Sequence, residues 1–219
     1  VGVDSMHRAM EIIQGSVFDS ASQTITNTVN CTGVMGKGLA LEYKKRFPEM
    51  YADYRERCER HEVRLGEPYL YRPLIGQWVL NFPTKGHWRS PSRLTDIVAG
   101  LEFLAAHYRE WGIASLAVPP LGCGNGELEW RVVGPTIYRH LRELQIPVEL
   151  YTPLDVAPEE ATEEFLMGAS TTEPDHGDAV LRITPAWIAL AELVASIAQQ
   201  QGAAIRIGQL REIGRASGR

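Results

Sequence analysis

Two glycine-rich segments, each between a predicted strand and a predicted helix, constrain this chain most. TITNTVN leads into CTGVMGKG and then the helical LALEYKKRF, while ASLAVPP leads into LGCGNG and a helix over about 129–144. Backbone N–H groups of such a loop and the following helix N-terminus can hold a phosphate. Neither loop has the order of a Walker A or dinucleotide-binding motif. Either loop alone can be a simple tight turn, but the pair favours a diphosphate ligand held from both sides.

The remaining pattern indicates strands that alternate with helices, as in a layered α/β domain. EIIQ and PVELY are predicted strands, and PYLYRP and QWVLNF have the spacing of an antiparallel hairpin. The apolar periodicity of residues 91–111 predicts a long helix with Ser92 as its N-cap. In such sheets ligands bind at the carboxyl ends of the strands.

Charge is unevenly distributed along the 219 residues. The formal net charge is −5, but residues 1–150 sum to zero and residues 151–180 hold eight acidic and no basic side chains. We therefore expect a leader or vector remnant at 1–9, a folded domain at 10–153, an acidic linker at 154–180, and the helical start of a C-terminal region at 181–219. That last region is expected to be incomplete.

Cysteine and histidine usage points to a reduced compartment. Three cysteines cannot build a disulfide framework, and neither they nor the six histidines have metal-ligand spacing. Neither a signal peptide nor a membrane-spanning run is visible. The sequence predicts a cytoplasmic protein with no bound metal and no membrane partner.

Three motifs together are similar to one known family. TNTVNCTGVMGKGLALEYKKRFPEMY, NFPTKGHWRSPS and AVPPLGCGNGELEW resemble the macrodomain of DarG-type antitoxins, with the human terminal ADP-ribose protein glycohydrolase as a more distant relative. The resemblance implies a three-layer α/β/α macrodomain with a mixed, mainly parallel sheet. It also implies that ADP-ribose binds between the two glycine loops.

The resemblance further assigns residues. Asn30 is expected at the distal ribose, the two loops at the diphosphate, and Tyr151 beside the adenine. The ADP-ribose-binding residues implied in this way are Asn30, Gly33, Val34, Met35, Gly36, Lys37, Gly38, Pro120, Leu121, Gly122, Cys123, Gly124, Asn125, Gly126 and Tyr151. This sequence departs from its relatives at two places. Asn125 and Gly126 stand where the human relative has an aspartate in the second glycine loop, and Ser16 stands where many macrodomains have an aspartate that contacts adenine.

Lys85 is the catalytic residue that the resemblance implies. Partial desolvation lowers the pKa of a lysine side chain and so favours its neutral amine. That amine can attack an electrophilic carbon such as the anomeric carbon of ADP-ribose. Both a covalent lysine adduct and a role as base or electrostatic aid remain open. The neighbouring His87, Trp88 and Arg89 are candidate nucleic-acid contacts, although Trp88 can equally be a core residue and Arg89 part of a surface ion pair.

The expected function is a hydrolase that removes ADP-ribose from DNA bases, with thymine in single-stranded DNA as the favoured target. The resemblance makes it the antitoxin of a DarT-type DNA ADP-ribosyltransferase, with the C-terminal region as the candidate toxin-binding part. No cofactor is expected, since ADP-ribose is substrate or product. Two alternatives are a noncatalytic ADP-ribose binding module and a hydrolase of ADP-ribosylated protein.

Overall fold

One six-stranded sheet organises the protein. The computed structural model describes residues 10–168. The sheet has the order β1-β6-β5-β2-β4-β3, and every neighbouring pair is parallel except the β3–β4 hairpin. It is therefore mixed and mainly parallel, as predicted. The strands are β1 Met10–Gln14, β2 Thr24–Asn30, β3 Tyr69–Tyr71, β4 Trp78–Lys85, β5 Leu116–Val118 and β6 Val148–Thr152.

Helices cover both faces of this sheet. Alternate side chains of the buried strands point into two separate apolar clusters: Leu116 and Val118 of β5 join one, and Ala117 joins the other. The first cluster packs against α3, α4 and α5, and the second against α1 and α2. The result is the predicted three-layer α/β/α arrangement. The helices are α1 Gly38–Arg46, α2 Pro48–Glu59, α3 Leu94–His107, α4 Trp130–Leu141 and α5 Glu163–Gly168.

The position of Lys85 differs from the sequence expectation. The strand predicted from QWVLNF ends at Phe82 and leaves Lys85 beyond it, but β4 continues through Pro83 and ends at Lys85. Proline removes one donor from the strand ladder, and such residues are tolerated at irregularities. The β2–β4 register shifts between Val29 and Asn30, next to the Val29–Pro83 pair, and Asn30 then stands opposite Lys85.

The predicted Ser92 cap of α3 is wrong. The helix begins at Leu94, its N-cap is Arg93, and no side chain caps it. Ser92 is buried, and its backbone N–H donates to the Gly126 carbonyl at 2.9 Å. Ser92 therefore joins the start of α3 to the second glycine loop, a tertiary contact that local capping rules do not include.

The first part of the predicted acidic linker is folded onto the domain. Residues 158–161 form a short 3-10 turn and α5 follows, with Leu166 fully buried. The indole of Trp130 in α4 donates to the Glu160 carbonyl at 3.0 Å. Composition predicted a linker here because the apolar residues that cover α4 lie among acidic ones. The domain therefore extends past residue 153.

Several predicted segments lie outside the described residues: the leader at 1–9, the linker beyond residue 168 and the C-terminal region at 181–219. Within residues 10–168, every helix is too short or too polar to cross a bilayer.

Close packing of α3 on the sheet yields a stability prediction. A Cβ added at Gly100 would lie 2.3 Å from Cζ of Phe82, which is fully enclosed in the core. Overpacking of this kind costs about 1–3 kcal/mol, which outweighs the ~1 kcal/mol helix preference of alanine over glycine. Gly100→Ala should lower the free energy of unfolding, measured by urea denaturation.

Gly168→Ala is the matched control, because a methyl group there meets nothing within 4 Å. It should change the free energy of unfolding by less than about 0.5 kcal/mol. Equal stability of the Gly100→Ala variant and the parent would contradict the packing described.

Candidate functional site

A cleft of about 710 Å³ opens at the carboxyl ends of β2, β4 and β5. Both glycine loops leave the sheet at this edge, one on each side of the cleft, and Lys85 lies between them. This size is typical of small-molecule sites. The cleft is lined by Thr28, Val29, Asn30, Val34, Gly36, Lys37, Gly38, Leu39, Ala40, Thr84, Lys85, Trp88, Arg89, Gly122, Cys123, Gly124, Asn125 and Gly126.

Asn30 shapes the first glycine loop. Its Oδ1 accepts hydrogen bonds from the Thr32 backbone N–H at 2.9 Å and the Thr32 hydroxyl at 2.7 Å, and its Nδ2 donates to the Val34 carbonyl at 2.6 Å. Gly33 then turns with φ +81°, a conformation that favours glycine. The Asn30 side chain lines the cleft, but its amide is already bonded within its own loop.

A buried tyrosine of α2 holds Asn30 in place. The Tyr54 hydroxyl donates to the Asn30 carbonyl at 2.8 Å and lies 3.1 Å from its Oδ1. Burial raises the pKa of this hydroxyl far above its ordinary value, so it stays a proton donor. Sequence analysis missed Tyr54, because its position 24 residues after Asn30 carries no local signal.

The second glycine loop has no space for larger residues. A Cβ at Gly122 would lie 2.7 Å from Leu128, and one at Gly126 would lie 2.5 Å from the Ser92 hydroxyl oxygen. Across the cleft, the Asn125 amide nitrogen would lie 3.0 Å from a Cβ at Gly38. The two glycine loops therefore approach each other closely, and this approach depends on glycine.

Lys85 reaches from the end of β4 to the second glycine loop. Its half-buried side chain places Nζ 2.8 Å from the Asn125 carbonyl oxygen, to which it donates. Cationic side chains among the described lining residues are Lys37, Lys85 and Arg89, and aspartate and glutamate are absent from that set. The cleft is thus suited to an anion, and the Lys85 amine contacts the second glycine loop.

Cys123 also lines the cleft, but its chemistry is different. Burial raises the pKa of its thiol to about 11, so the thiol is protonated at neutral pH. A protonated thiol is a poor nucleophile, so the Cys123 side chain is not favoured as a reacting group. Within residues 10–168, groupings of three or more His, Cys, Asp or Glu side chains close enough to hold a metal ion are also absent.

Some predicted ligand residues lie elsewhere. Tyr151 is buried in the core on the α1–α2 side of the sheet, and its hydroxyl donates to the Glu149 carboxylate at 2.8 Å. Burial and this carboxylate raise the pKa of Tyr151 to about 12. Met35 and Leu121 are buried in the core as well. Residues outside the cleft lining are therefore Gly33, Met35, Pro120, Leu121, Tyr151 and, among the candidate nucleic-acid contacts, His87.

The cleft also contains residues that sequence analysis did not select. Thr28 and Val29 lie near the carboxyl end of β2, Thr84 precedes Lys85, and Leu39 and Ala40 lie in the first turn of α1. All five lie within the two quoted motifs that contain the first glycine loop and Lys85, so proximity to that loop and to Lys85 was the available signal.

Known proteins share this fold and these motifs. The chain is 42% identical over 164 residues to a "DNA ADP-ribosyl transferase-DNA ADP-ribosyl glycohydrolase fusion protein" of Thermosipho africanus, and the match covers 67% of this chain and 42% of that protein. The chain thus spans about two fifths of the length of this curated relative.

Two solved structures are similar as well. The "Macrodomain of Mycobacterium tuberculosis DarG" matches with a TM-score of 0.64 and 42% identity, over 66% of this chain and 98% of that one. "Thermosipho africanus DarTG in complex with ADP-ribose" matches with a TM-score of 0.68 and 40% identity, over 72% of this chain and 47% of that one.

The family model described as "Macro domain" matches residues 26–137, which run from β2 through α4 and make up about half of the chain. That span includes both glycine loops and Lys85. The chain belongs to the macro domain family.

Proposed function

We propose that this protein is a DNA ADP-ribosyl glycohydrolase, which removes ADP-ribose from modified bases of single-stranded DNA, with thymine as the favoured base. The observation that carries the proposal is the Lys85 amine, which lies between two glycine loops in a cleft whose described lining contains no carboxylate. The name of the Thermosipho relative, which includes this activity, supports it.

ADP-ribose fits the chemistry of the cleft. Backbone N–H groups of two glycine loops can bind a diphosphate, and Lys37 adds a positive charge at the start of α1. The solved Thermosipho structure that contains ADP-ribose supports this ligand. In our proposal the distal ribose lies at Asn30 and Lys85, which the strand register places opposite each other.

Lys85 can act by two routes. In the first, its neutral amine attacks the anomeric carbon, the carbon–base bond breaks, and the base leaves with a proton; water then hydrolyses the lysine adduct. In the second, the amine takes a proton from a water molecule that attacks the same carbon while the carbon–base bond breaks, and the resulting ammonium returns the proton to the leaving base. Both routes need only water as co-reactant, so the proposal includes no cofactor.

We also infer a cellular role as antitoxin, in the cytoplasm, to a DarT-type DNA ADP-ribosyltransferase. The support is the fused relative, whose name joins a DNA ADP-ribosyl transferase to the glycohydrolase. Coexpression tests this role, since the parent protein should restore growth of cells that produce the toxin and Lys85→Ala should not. Direct binding of the toxin by residues 181–219 remains a prediction, because these residues lie outside the part of the chain that the structure describes.

Replacement of Lys85 tests the reaction. Lys85→Ala should slow release of ADP-ribose from a modified single-stranded oligonucleotide by at least about 100-fold, the usual contribution of one acid–base or nucleophilic group. Binding of free ADP-ribose, measured by calorimetry, should persist because both glycine loops remain. Release is followed by chromatography of the oligonucleotide.

Lys45→Ala is the control, because Lys45 pairs with Glu42 on the exposed side of α1. It should release ADP-ribose at the parent rate. Parent-rate release by Lys85→Ala would exclude the assigned mechanism. Binding of ADP-ribose by the parent without release from modified DNA would favour the noncatalytic module, and release only from modified protein would favour the protein hydrolase.

Tyr54 yields a second prediction about the first glycine loop. Tyr54→Phe removes the donor that holds Asn30, a hydrogen bond worth about 0.5–1.5 kcal/mol, and should raise the Kd of ADP-ribose several-fold. Calorimetry measures the Kd of ADP-ribose, and thermal melting measures the stability of the folded protein.

Tyr43→Phe is a matched control, since this buried hydroxyl donates to the Thr26 carbonyl in the middle of β2, away from the loop. It should lower stability to a similar extent but leave the Kd unchanged. An equal Kd for the two variants would refute the role assigned to Tyr54.

A further inference from the structure

Three flat side chains form an exposed stack at the rim of the cleft. Trp88 is 41% exposed, unusually open for tryptophan, and its ring centroid lies 5.6 Å from that of His87 with 28° between the planes. The Arg89 guanidinium carbon lies 4.4 Å from the centre of the Trp88 ring. We call His87, Trp88 and Arg89 the rim stack. The alternatives of a core Trp88 and an ion-paired Arg89 do not describe this geometry.

Hydrogen bonds hold the loop that carries the rim stack. The backbone N–H of Arg89 donates to Nδ1 of His87 at 3.2 Å, and that of Ser90 donates to the His87 carbonyl at 3.0 Å. Two residues later, Ser92 is joined to the second glycine loop through Gly126. These bonds hold the backbone that carries the stack, and such preorganisation lowers the entropic cost of binding.

The rim stack is close to the candidate reacting group. Trp88 follows Lys85 by three residues, so their Cα atoms are within about 11 Å of each other. Trp88 and Arg89 line the same cleft as Lys85, and Lys37 adds a further cation. Flat groups beside cations suit an unpaired base with its phosphate, because bases stack on aromatic rings and phosphates pair with basic side chains.

We propose that the rim stack binds a nucleotide that flanks the modified one in single-stranded DNA, with its base against the stack and its phosphate at Arg89. This inference rests on the proposed function and adds a subsite to it. A base inside a duplex has both faces covered by its neighbours, so it must leave the stack before a protein can bind its face. The rim stack thus selects unpaired DNA.

The test compares two substrates of the full chain: ADP-ribosylated thymidine, which has no flanking nucleotide, and a single-stranded oligonucleotide with the same modified base. The readout is the ratio of kcat/KM for the oligonucleotide to kcat/KM for the nucleoside. Trp88→Ala should lower this ratio about tenfold, in keeping with the loss of stacking on one base. Trp88→Phe, which keeps an aromatic face, should restore most of it.

Trp111→Ala is the matched control. Trp111 is also partly exposed, and its ring lies 5.6 Å from that of His107 with 25° between the planes, but it follows α3 and is absent from the described cleft lining. This variant should keep the parent ratio. An unchanged ratio in Trp88→Ala, or an equal fall in both tryptophan variants, would overturn the proposal.

Binding of an unmodified single-stranded oligonucleotide, measured by fluorescence anisotropy, separates this inference from the proposed function. If the parent hydrolyses neither substrate, the proposed function fails, but weaker oligonucleotide binding by Trp88→Ala than by Trp111→Ala still supports the subsite. Equal oligonucleotide affinity of the two variants refutes the subsite, whatever the hydrolytic activity of the parent.

Arg89→Ala gives a further test of the phosphate contact. This variant should reduce the slope of log affinity against log salt concentration by about one, which is the contribution of one phosphate contact.

Discussion

The parallel pairing of β2 with β4 is the constraint on which the site depends. Both strands are largely buried: Ile25 and Val29 of β2 lie in the cluster that packs against α1 and α2, while β4 places side chains in both clusters, and this packing determines their register. The register shift beside Pro83 brings Asn30 opposite Lys85. One of these residues shapes the first glycine loop and the other donates to the second. A slip of one residue in either strand would turn the side chain of that strand to the other face of the sheet.

The side chains around Lys85 determine the charge and the chemistry of the cleft. Enzymes that cleave glycosidic bonds commonly use a pair of carboxylates, one as acid and one as base or nucleophile. Among the described residues that line this cleft, the titratable groups are basic or, at Cys123, held protonated by burial. The arrangement favours an anionic substrate and chemistry centred on an amine. The net negative charge of the chain arises after residue 150, since residues 1–150 sum to zero, so it does not oppose a DNA substrate at the cleft.

Features of the molecule that depend on a short stretch of sequence could be predicted. Glycine spacing located both loops, and positive φ at Gly33 and Gly122 explains why glycine is needed there. Prediction failed where a residue serves a distant part of the fold. Ser92 looked like a helix cap but contacts the second glycine loop through Gly126. The decisive neighbour lies more than 30 residues away along the chain.

The sequence by itself determined the order of strands and helices, the two glycine loops and the family resemblance, because these depend on residue periodicity and short motifs. Only the tertiary structure decided that Tyr54 holds Asn30, that Lys85 ends a strand, and that His87, Trp88 and Arg89 stack at the rim. The physical reason is that hydrogen bonds and ring contacts depend on the directions of side chains brought together by packing. Those directions are set by the folded sheet and its layers, and no stretch of sequence contains them alone.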